Sequence, residues 1–141
     1  MDAEGRSVVL LDTSTAIALV VEDHDAHVAT LNAIAGRRLG LSGHAWFETY
    51  SVLTRLPVGL RRSPSDAIRV LVRNFPASGF LGEVEAAELG NELARLGISG
   101  GAVYDALVGA AARQHGRLLV TGDTRARATY ESLGVDIELI P

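Results

Sequence analysis

An aliphatic segment that ends in a carboxylate constrains the fold of this chain more than any other feature. Residues Val8–Leu11 are all apolar, and Asp12, Thr13 and Ser14 follow them directly. A continuous apolar run bounded by polar residues is typical of a strand that is buried on both faces of a parallel sheet. Such a strand carries Asp12 to its carboxyl end, which is the edge at which ligands bind in open α/β sheets.

A second strand of this kind is predicted near the end of the chain. Residues Arg117–Thr121 are mostly apolar and stop at Gly122 and Asp123. Shorter strands are predicted at 39–41 and 135–140, and an edge strand within 75–81. Between them, helical patterns occupy 14–20, 26–35, 45–56, 65–74, 83–96, 102–115 and 124–132. This alternation predicts a single α/β domain with a mostly parallel central sheet of four to five strands and helices on both faces.

For two of these helices the sequence also predicts which residues cap the helix or are buried. Ser63 is expected to cap the helix that starts near residue 65. Its apolar positions Ile68, Leu71 and Val72 are expected to form a buried stripe. In the preceding helix, Trp46 and Tyr50 recur at helical spacing and are interpreted as core residues.

Composition narrows the possible chemistry. The 141 residues contain no cysteine, which excludes disulfides, thiolate metal sites and cysteine nucleophiles. All 13 basic residues are arginine, so mechanisms that need a lysine Schiff base or a P-loop lysine are excluded. The net charge of -4 argues against a surface that binds polyanions everywhere. The polar N-terminus and the absence of a long apolar run favour a cytoplasmic protein without a membrane span.

Four carboxylates stand where the predicted elements can bring them together. Asp12 and Asp123 each follow a strand, and Glu48 and Asp105 each lie in a helix. Taken singly, the aspartates have ordinary roles as helix caps or partners of a helix dipole, and a helical glutamate usually faces solvent. Parallel strands, however, place Asp12 and Asp123 at the same edge of the sheet, so the joint arrangement predicts a shared acidic site.

Such a site needs a counter-charge. Two carboxylates 4 Å apart repel each other by about 4 kcal/mol at an effective dielectric near 20. Hard divalent cations with oxygen ligands relieve this repulsion, and Mg²⁺ retains several of its waters. A cation at a water-accessible acidic edge is suited to the hydrolysis of a phosphodiester.

Four short stretches with this order and spacing resemble a known family. They are Leu11–Ser14, His44–Tyr50, Tyr104–Ala106 and Thr121–Asp123. The chain resembles PIN-domain ribonucleases, and more narrowly the VapC toxins of bacterial toxin-antitoxin pairs. The resemblance implies one PIN-like domain over residues 1–141 and an endoribonuclease that depends on Mg²⁺ or Mn²⁺.

The same resemblance implies roles for individual residues. Asp12, Asp105 and Asp123 are expected to hold the metal directly or through water, and Glu48 to orient a water ligand. Three hydroxyl residues are expected beside these ligands: Thr13, Ser14 and Thr121. In-line attack of water on phosphorus then leaves a 5′-phosphate and a 3′-hydroxyl without using the 2′-hydroxyl of the RNA.

Partners also follow from the resemblance. The substrate is expected to be RNA, and a cognate VapB-type antitoxin is expected to insert an arginine near Asp12 and Asp105. A homodimer is expected to use the apolar region from Ile68 to Phe80. Contact with RNA phosphates is one interpretation, and a solvated surface the other, for four arginines: Arg61, Arg62, Arg125 and Arg127.

Other functions remain to be weighed against this one. The alternative is a catalytically silent PIN-like module that only binds RNA or a protein. Receiver domains and haloacid-dehalogenase-like phosphatases share the layout, but both require a lysine that this chain lacks. His24 and His27 are close enough in sequence to share a helix face, although solvated side chains are the favoured interpretation.

Overall fold

The computed structural model describes all residues, 1–141, and contains one four-stranded sheet. The strands are β1 (Val8–Leu11), β2 (Arg38–Leu41), β3 (Leu118–Thr121) and β4 (Ile137–Leu139). Their order is β2-β1-β3-β4, and every neighbouring pair is parallel. The predicted fold class is therefore confirmed, and β1 and β3 lie side by side in the centre of the sheet.

Seven helices connect and cover the strands. They are α1 (Thr13–Val20), α2 (His27–Ile34), α3 (His44–Thr54), α4 (Pro64–Asn74), α5 (Glu83–Leu96), α6 (Ala102–Gln114) and α7 (Arg127–Ser132). None of them has the length and apolar character that spanning a bilayer requires.

The sheet separates two hydrophobic cores, as the alternation of side chains along each strand dictates. Leu10 of β1 and Leu119 of β3 point to one face, where they pack with residues of α5, α6 and α7. Val9, Leu11 and Val120 point to the other face and pack with α1 and α4. Helix α3 contributes to both cores. Because both faces are covered, the central strands are apolar except for Thr121 at the carboxyl end of β3.

The predicted edge strand within 75–81 is reduced to a single parallel bridge between Ser42 and Gly79. The segment still runs along β2, since the Gly79 N–H donates to the Leu41 carbonyl at 3.2 Å. It approaches so closely that a Cβ on Gly40 would lie 2.3 Å from the carbonyl carbon of Ala77. Glycine at position 40 is therefore required by the contact between two backbones.

Helix α4 begins as predicted, but its buried face differs from the prediction. Ser63 caps the helix, as predicted. The expected stripe is wrong at two of three positions, because Ile68 is 40% and Val72 61% exposed. The helix instead buries Ala67 and Leu71 in the core. Ala67 and Leu71 are four positions apart and share one face of the helix, and Ile68 and Val72 lie one position further round, where solvent reaches them.

Candidate active site

Asp12 lies at the point where β1 gives way to α1. Its Oδ1 accepts a hydrogen bond from the Thr15 backbone N–H at 3.2 Å and so caps the helix. A capping carboxylate satisfies an amide that has no partner within the helix and is favoured by the helix dipole. The apolar strand and the cap together fix Asp12 at the carboxyl edge of the sheet, where its residue surface is 4% exposed.

The buried carboxylate of Asp12 is surrounded by hydroxyl donors. Its Oδ1 accepts from the Thr15 hydroxyl at 2.6 Å and from the Ser14 hydroxyl at 3.3 Å. Its Oδ2 accepts from the Thr121 hydroxyl and, at 3.1 Å, from the Tyr130 hydroxyl. These bonds to an ionised acceptor offset the cost of removing the charge from water.

Two of these hydroxyls also join β1 to β3. The Thr15 hydroxyl accepts from the Gly122 N–H at 3.1 Å, and the Thr121 hydroxyl accepts from the Asp123 N–H at 3.0 Å. Each threonine therefore donates to Asp12 and accepts from the turn after β3. This arrangement fixes the position of that turn relative to the end of β1.

Asp123 is held by the turn that follows β3. Its Oδ1 accepts from the backbone N–H groups of Arg125 and Ala126, at 3.0 and 3.3 Å. Its Oδ2 lies 3.5 Å from a guanidinium nitrogen of Arg125, whose side chain is 87% exposed. So exposed an ion pair contributes little to stability, and Oδ2 of Asp123 accepts no hydrogen bond.

Glu48 reaches the same edge from α3. Its Oε1 accepts from the Thr13 hydroxyl at 3.3 Å and lies 3.8 Å from Nε2 of His44, one turn earlier in the helix. The Glu48 side chain is 39% exposed. It is therefore anchored to the start of α1 and still reachable by water.

Asp105 lies in the first turn of α6 and has no hydrogen-bond partner. Partial burial raises its pKa above the ordinary value, and the negative charges of Asp123, Asp12 and Glu48 raise it further. The Arg125 guanidinium opposes this shift only in part. Burial is the larger cause of the raised pKa, and repulsion by the other three carboxylates adds to it.

All four acids line one open cavity of about 340 Å³, together with Thr13, Ser14, His24, Arg125 and Tyr130. No three carboxylate or imidazole groups are arranged to hold a metal ion between them. The possible ligand atoms are carboxylate oxygens, and their negative charges repel one another. This set could hold a hydrated divalent cation through one or two carboxylates, which is how Mg²⁺ commonly binds.

The four arginines considered for RNA contact are not together. Arg125 alone lines the acidic cavity. Arg62 lines a separate cavity of about 280 Å³ beside Leu60. Arg61 donates to the Leu56 carbonyl at 2.9 Å, and Arg127 pairs with Glu131 at 2.7 Å.

The structure adds three residues that the sequence did not single out for this site. Thr15 could have been recognised, because it stands three positions after a capping aspartate. Tyr130 gave no local signal, since α7 reaches Asp12 only in the folded protein. Burial and the negative charge of Asp12 raise the pKa of Tyr130, so its hydroxyl remains a donor. His24 lines the cavity as well, although it is exposed.

Comparison with known proteins agrees with this arrangement. Residues 9–132 match the PIN domain family. This chain belongs to the PIN-domain family. Ribonuclease VapC27 of Mycobacterium tuberculosis is 50% identical over 127 residues, which cover 90% of this chain and 93% of the relative. Ribonuclease VapC40 of the same species is 40% identical over 131 residues, covering 92% and 96%. Within the PIN-domain family, the chain thus belongs with the VapC ribonucleases.

Two solved structures share the fold of this PIN domain. VapBC2 from Rickettsia felis, bound to a DNA fragment from its promoter, has a TM-score of 0.66 at 15% identity, covering 94% of this chain and 98% of that chain. FitAB bound to the IR36 DNA fragment has a TM-score of 0.63 at 18% identity, covering 93% and 94%. At these identities the comparison establishes the fold.

Proposed function

We propose that this PIN domain is an endoribonuclease toxin that cleaves RNA with a divalent cation, Mg²⁺ or Mn²⁺, and is neutralised by a VapB-type antitoxin. The relatives named as VapC ribonucleases support the reaction class. The observation that carries the mechanism is the cavity lined by Asp12, Glu48, Asp105 and Asp123. Four acids that repel one another at a water-accessible edge form a site for a cation.

The contacts of each acidic residue suggest its role in the reaction. Asp105 and Asp123 each have a carboxylate oxygen without a hydrogen bond that is free for a cation. Asp12 would contribute to the same site in an orientation that its five hydrogen bonds fix. Glu48, tied to Thr13 and open to water, is placed to orient a water molecule. When bound, the cation supplies an activated water and neutralises charge on the phosphate. This chemistry leaves a 5′-phosphate and a 3′-hydroxyl.

A direct test uses purified protein and two matched sets of single-stranded RNA oligonucleotides, one with free and one with blocked 2′-hydroxyls. Cleavage that requires Mg²⁺ or Mn²⁺, stops with chelator and yields 5′-phosphate ends is expected. Products with a 2′,3′-cyclic phosphate would contradict the mechanism. RNA binding without cleavage across a broad set of RNAs would instead favour the catalytically silent module.

The toxin role has its own test. The VapBC relationship of one structural neighbour motivates an antitoxin partner. Expression of the wild-type chain should arrest bacterial growth, while Asp105→Asn should not. Co-expression of the product of a short adjacent gene should restore growth. Growth that is unaffected by a soluble, RNA-cleaving protein would reject the toxin role and leave the ribonuclease assignment standing.

A further inference from the structure

The Tyr130 hydroxyl is the one donor to Asp12 that comes from α7. Tyr130 belongs to α7, and its residue surface is 1% exposed. Its hydroxyl donates to Asp12 Oδ2 at 3.1 Å across a sequence separation of 118 residues. The other donors come from α1 or from β3, next to Asp12 in the sheet. Tyr130 therefore couples the carboxylate to an element that the strands do not position.

The ring of Tyr130 is seated in a space that a glycine leaves open. A Cβ on Gly109 of α6 would lie 3.0 Å from Cδ1 of Tyr130 and 3.1 Å from Cγ2 of Val135. These distances are tighter than ordinary carbon contacts. Glycine at position 109 thus lets the ring pack directly on the α6 backbone, and this packing sets the position of the hydroxyl.

The donors to Asp12 differ in what else they do. The Thr15 and Thr121 hydroxyls also accept backbone N–H groups, so each has a second reason to be where it is. The Tyr130 hydroxyl has no hydrogen-bond partner other than Asp12. The Tyr130 ring packs in the core, whereas its hydroxyl contacts only the Asp12 carboxylate and restricts the rotation of that carboxylate.

We propose that Tyr130 is a positioning residue of the nuclease site, which holds the carboxylate plane of Asp12 in the orientation that cation binding requires. The proposal rests on the proposed function of the acidic cavity. Hydrogen-bond partners that orient a metal-binding carboxylate typically affect metal affinity or activity 10–100-fold when removed. Tyr130 contacts no substrate in this role and acts only through Asp12.

The test compares Tyr130→Phe with Tyr50→Phe. Each variant loses one hydroxyl and keeps its ring, and Tyr50 lies on α3 outside the acidic cavity. The first readout is the Mn²⁺ concentration at which the melting temperature begins to rise, which tracks the Kd for Mn²⁺. The second is the division of any loss of RNA cleavage between kcat and KM. For Tyr130→Phe, this onset is expected at about a tenfold higher Mn²⁺ concentration. We expect a lower kcat with an unchanged KM for RNA, and no change for Tyr50→Phe.

The outcomes separate this inference from the proposed function. If the wild type binds Mn²⁺ and cleaves RNA but Tyr130→Phe matches Tyr50→Phe in both readouts, the positioning role is rejected and the function stands. If Tyr130→Phe only lowers the metal-free melting temperature, its role is structural and the inference is again rejected. If the wild type neither responds to Mn²⁺ nor cleaves RNA, the proposed function fails and the role of Tyr130 fails with it.

Discussion

The Thr121 hydroxyl donates a hydrogen bond to Oδ2 of Asp12 although the two residues are 109 positions apart in the chain. Both lie at the carboxyl ends of central parallel strands, where β1 and β3 are neighbours. The contact therefore belongs to the sheet itself. It places a buried carboxylate at the base of the acidic cavity and leaves the more exposed acids to face water.

Asp12 and Asp105 should respond differently to the same substitution. In Asp12→Asn, an amide NH₂ must face the hydroxyls that now donate to the carboxylate, and about 1–3 kcal/mol of stability should be lost. Asp105→Asn removes a repelling charge that has no hydrogen-bond partner. Both variants should lose metal-dependent RNA cleavage. Chemical denaturation, circular dichroism and cleavage assays check this, and undiminished cleavage by either variant would contradict the site assignment.

The metal-free stability of Asp105→Asn should also depend on pH in a defined sense. The folded-state pKa of Asp105 is raised, so its carboxyl favours folding while protonated. That contribution is present below the unfolded pKa and is lost as pH rises through the folded pKa. Asp105→Asn should therefore melt higher than the wild type near neutral pH without metal. The difference should vanish in acid, where both side chains are neutral.

Much of this site was predictable because it depends on strand ends. A buried parallel strand must stop at a polar residue, and this rule located Asp12 and Asp123. The helix pattern also placed Asp105 in the first turn of α6, as observed. Tyr130 was not predictable, because its contact with Asp12 depends on how α7 packs on α6 and leaves no trace in local sequence.

The error at α4 has a different origin. Helical spacing identifies which residues of a helix are apolar, but it does not determine which of them contact the neighbouring helices and which remain at the edge of the contact. Ile68 and Val72 fit the pattern and remain exposed, because α4 packs through Ala67 and Leu71. These exposed apolar residues enlarge the surface available to another protein.

A second pair of exposed apolar residues leads to a prediction about assembly. Phe80 is 45% and Phe47 57% exposed, and their rings lie 6.1 Å apart. We expect a homodimer that buries the region from Ile68 to Phe80. Phe80→Glu should then shift the protein to a monomer in light scattering at micromolar concentration, since a charge is costly in an apolar interface. Val58→Glu, at an 88% exposed position, is the control. A wild-type monomer would contradict the expectation.

The ion pair between Glu92 and Arg113 predicts a second pH dependence. Two hydrogen bonds of 2.9 Å join the guanidinium to the carboxylate. These bonds to Arg113 lower the pKa of Glu92. The resulting stability is present above the unfolded pKa and is lost as pH falls through the folded pKa.

Glu92→Gln should consequently lower the free energy of unfolding by about 1 kcal/mol at pH 7 and by much less in strong acid. Glu131→Gln is the matched control, because its partner Arg127 and the glutamate are both more than half exposed. Glu131→Gln should lower the free energy of unfolding by less than Glu92→Gln does. Urea denaturation over a series of pH values measures both variants, and equal losses that do not change with pH would count against a stabilising role for the Glu92 pair.

The antitoxin should neutralise the acidic cavity with an arginine near Asp12 and Asp105. The donors around Asp12 leave it little capacity for another, so Asp105 should accept most of the guanidinium contact. Asp105→Asn should then weaken the complex by at least about 2 kcal/mol, and Glu131→Gln should not. Calorimetry of the purified pair measures this. A complex whose cavity remains open and filled with metal would rule out the mechanism.

Titration of the metal-free protein with Mn²⁺, followed by its melting temperature, tests the shared acidic site most directly. Binding to the folded state alone adds about 2.7 kcal/mol of stability at a hundredfold excess over Kd. The wild type should therefore melt at a higher temperature as Mn²⁺ is added. Asp123→Asn should respond much less, because it loses a negative charge that attracts the cation. Its amide oxygen can still accept the Arg125 N–H, so the turn after β3 is expected to keep its structure. A wild-type melting temperature that stays constant up to millimolar Mn²⁺ would contradict the claim that the four carboxylates form a cation site.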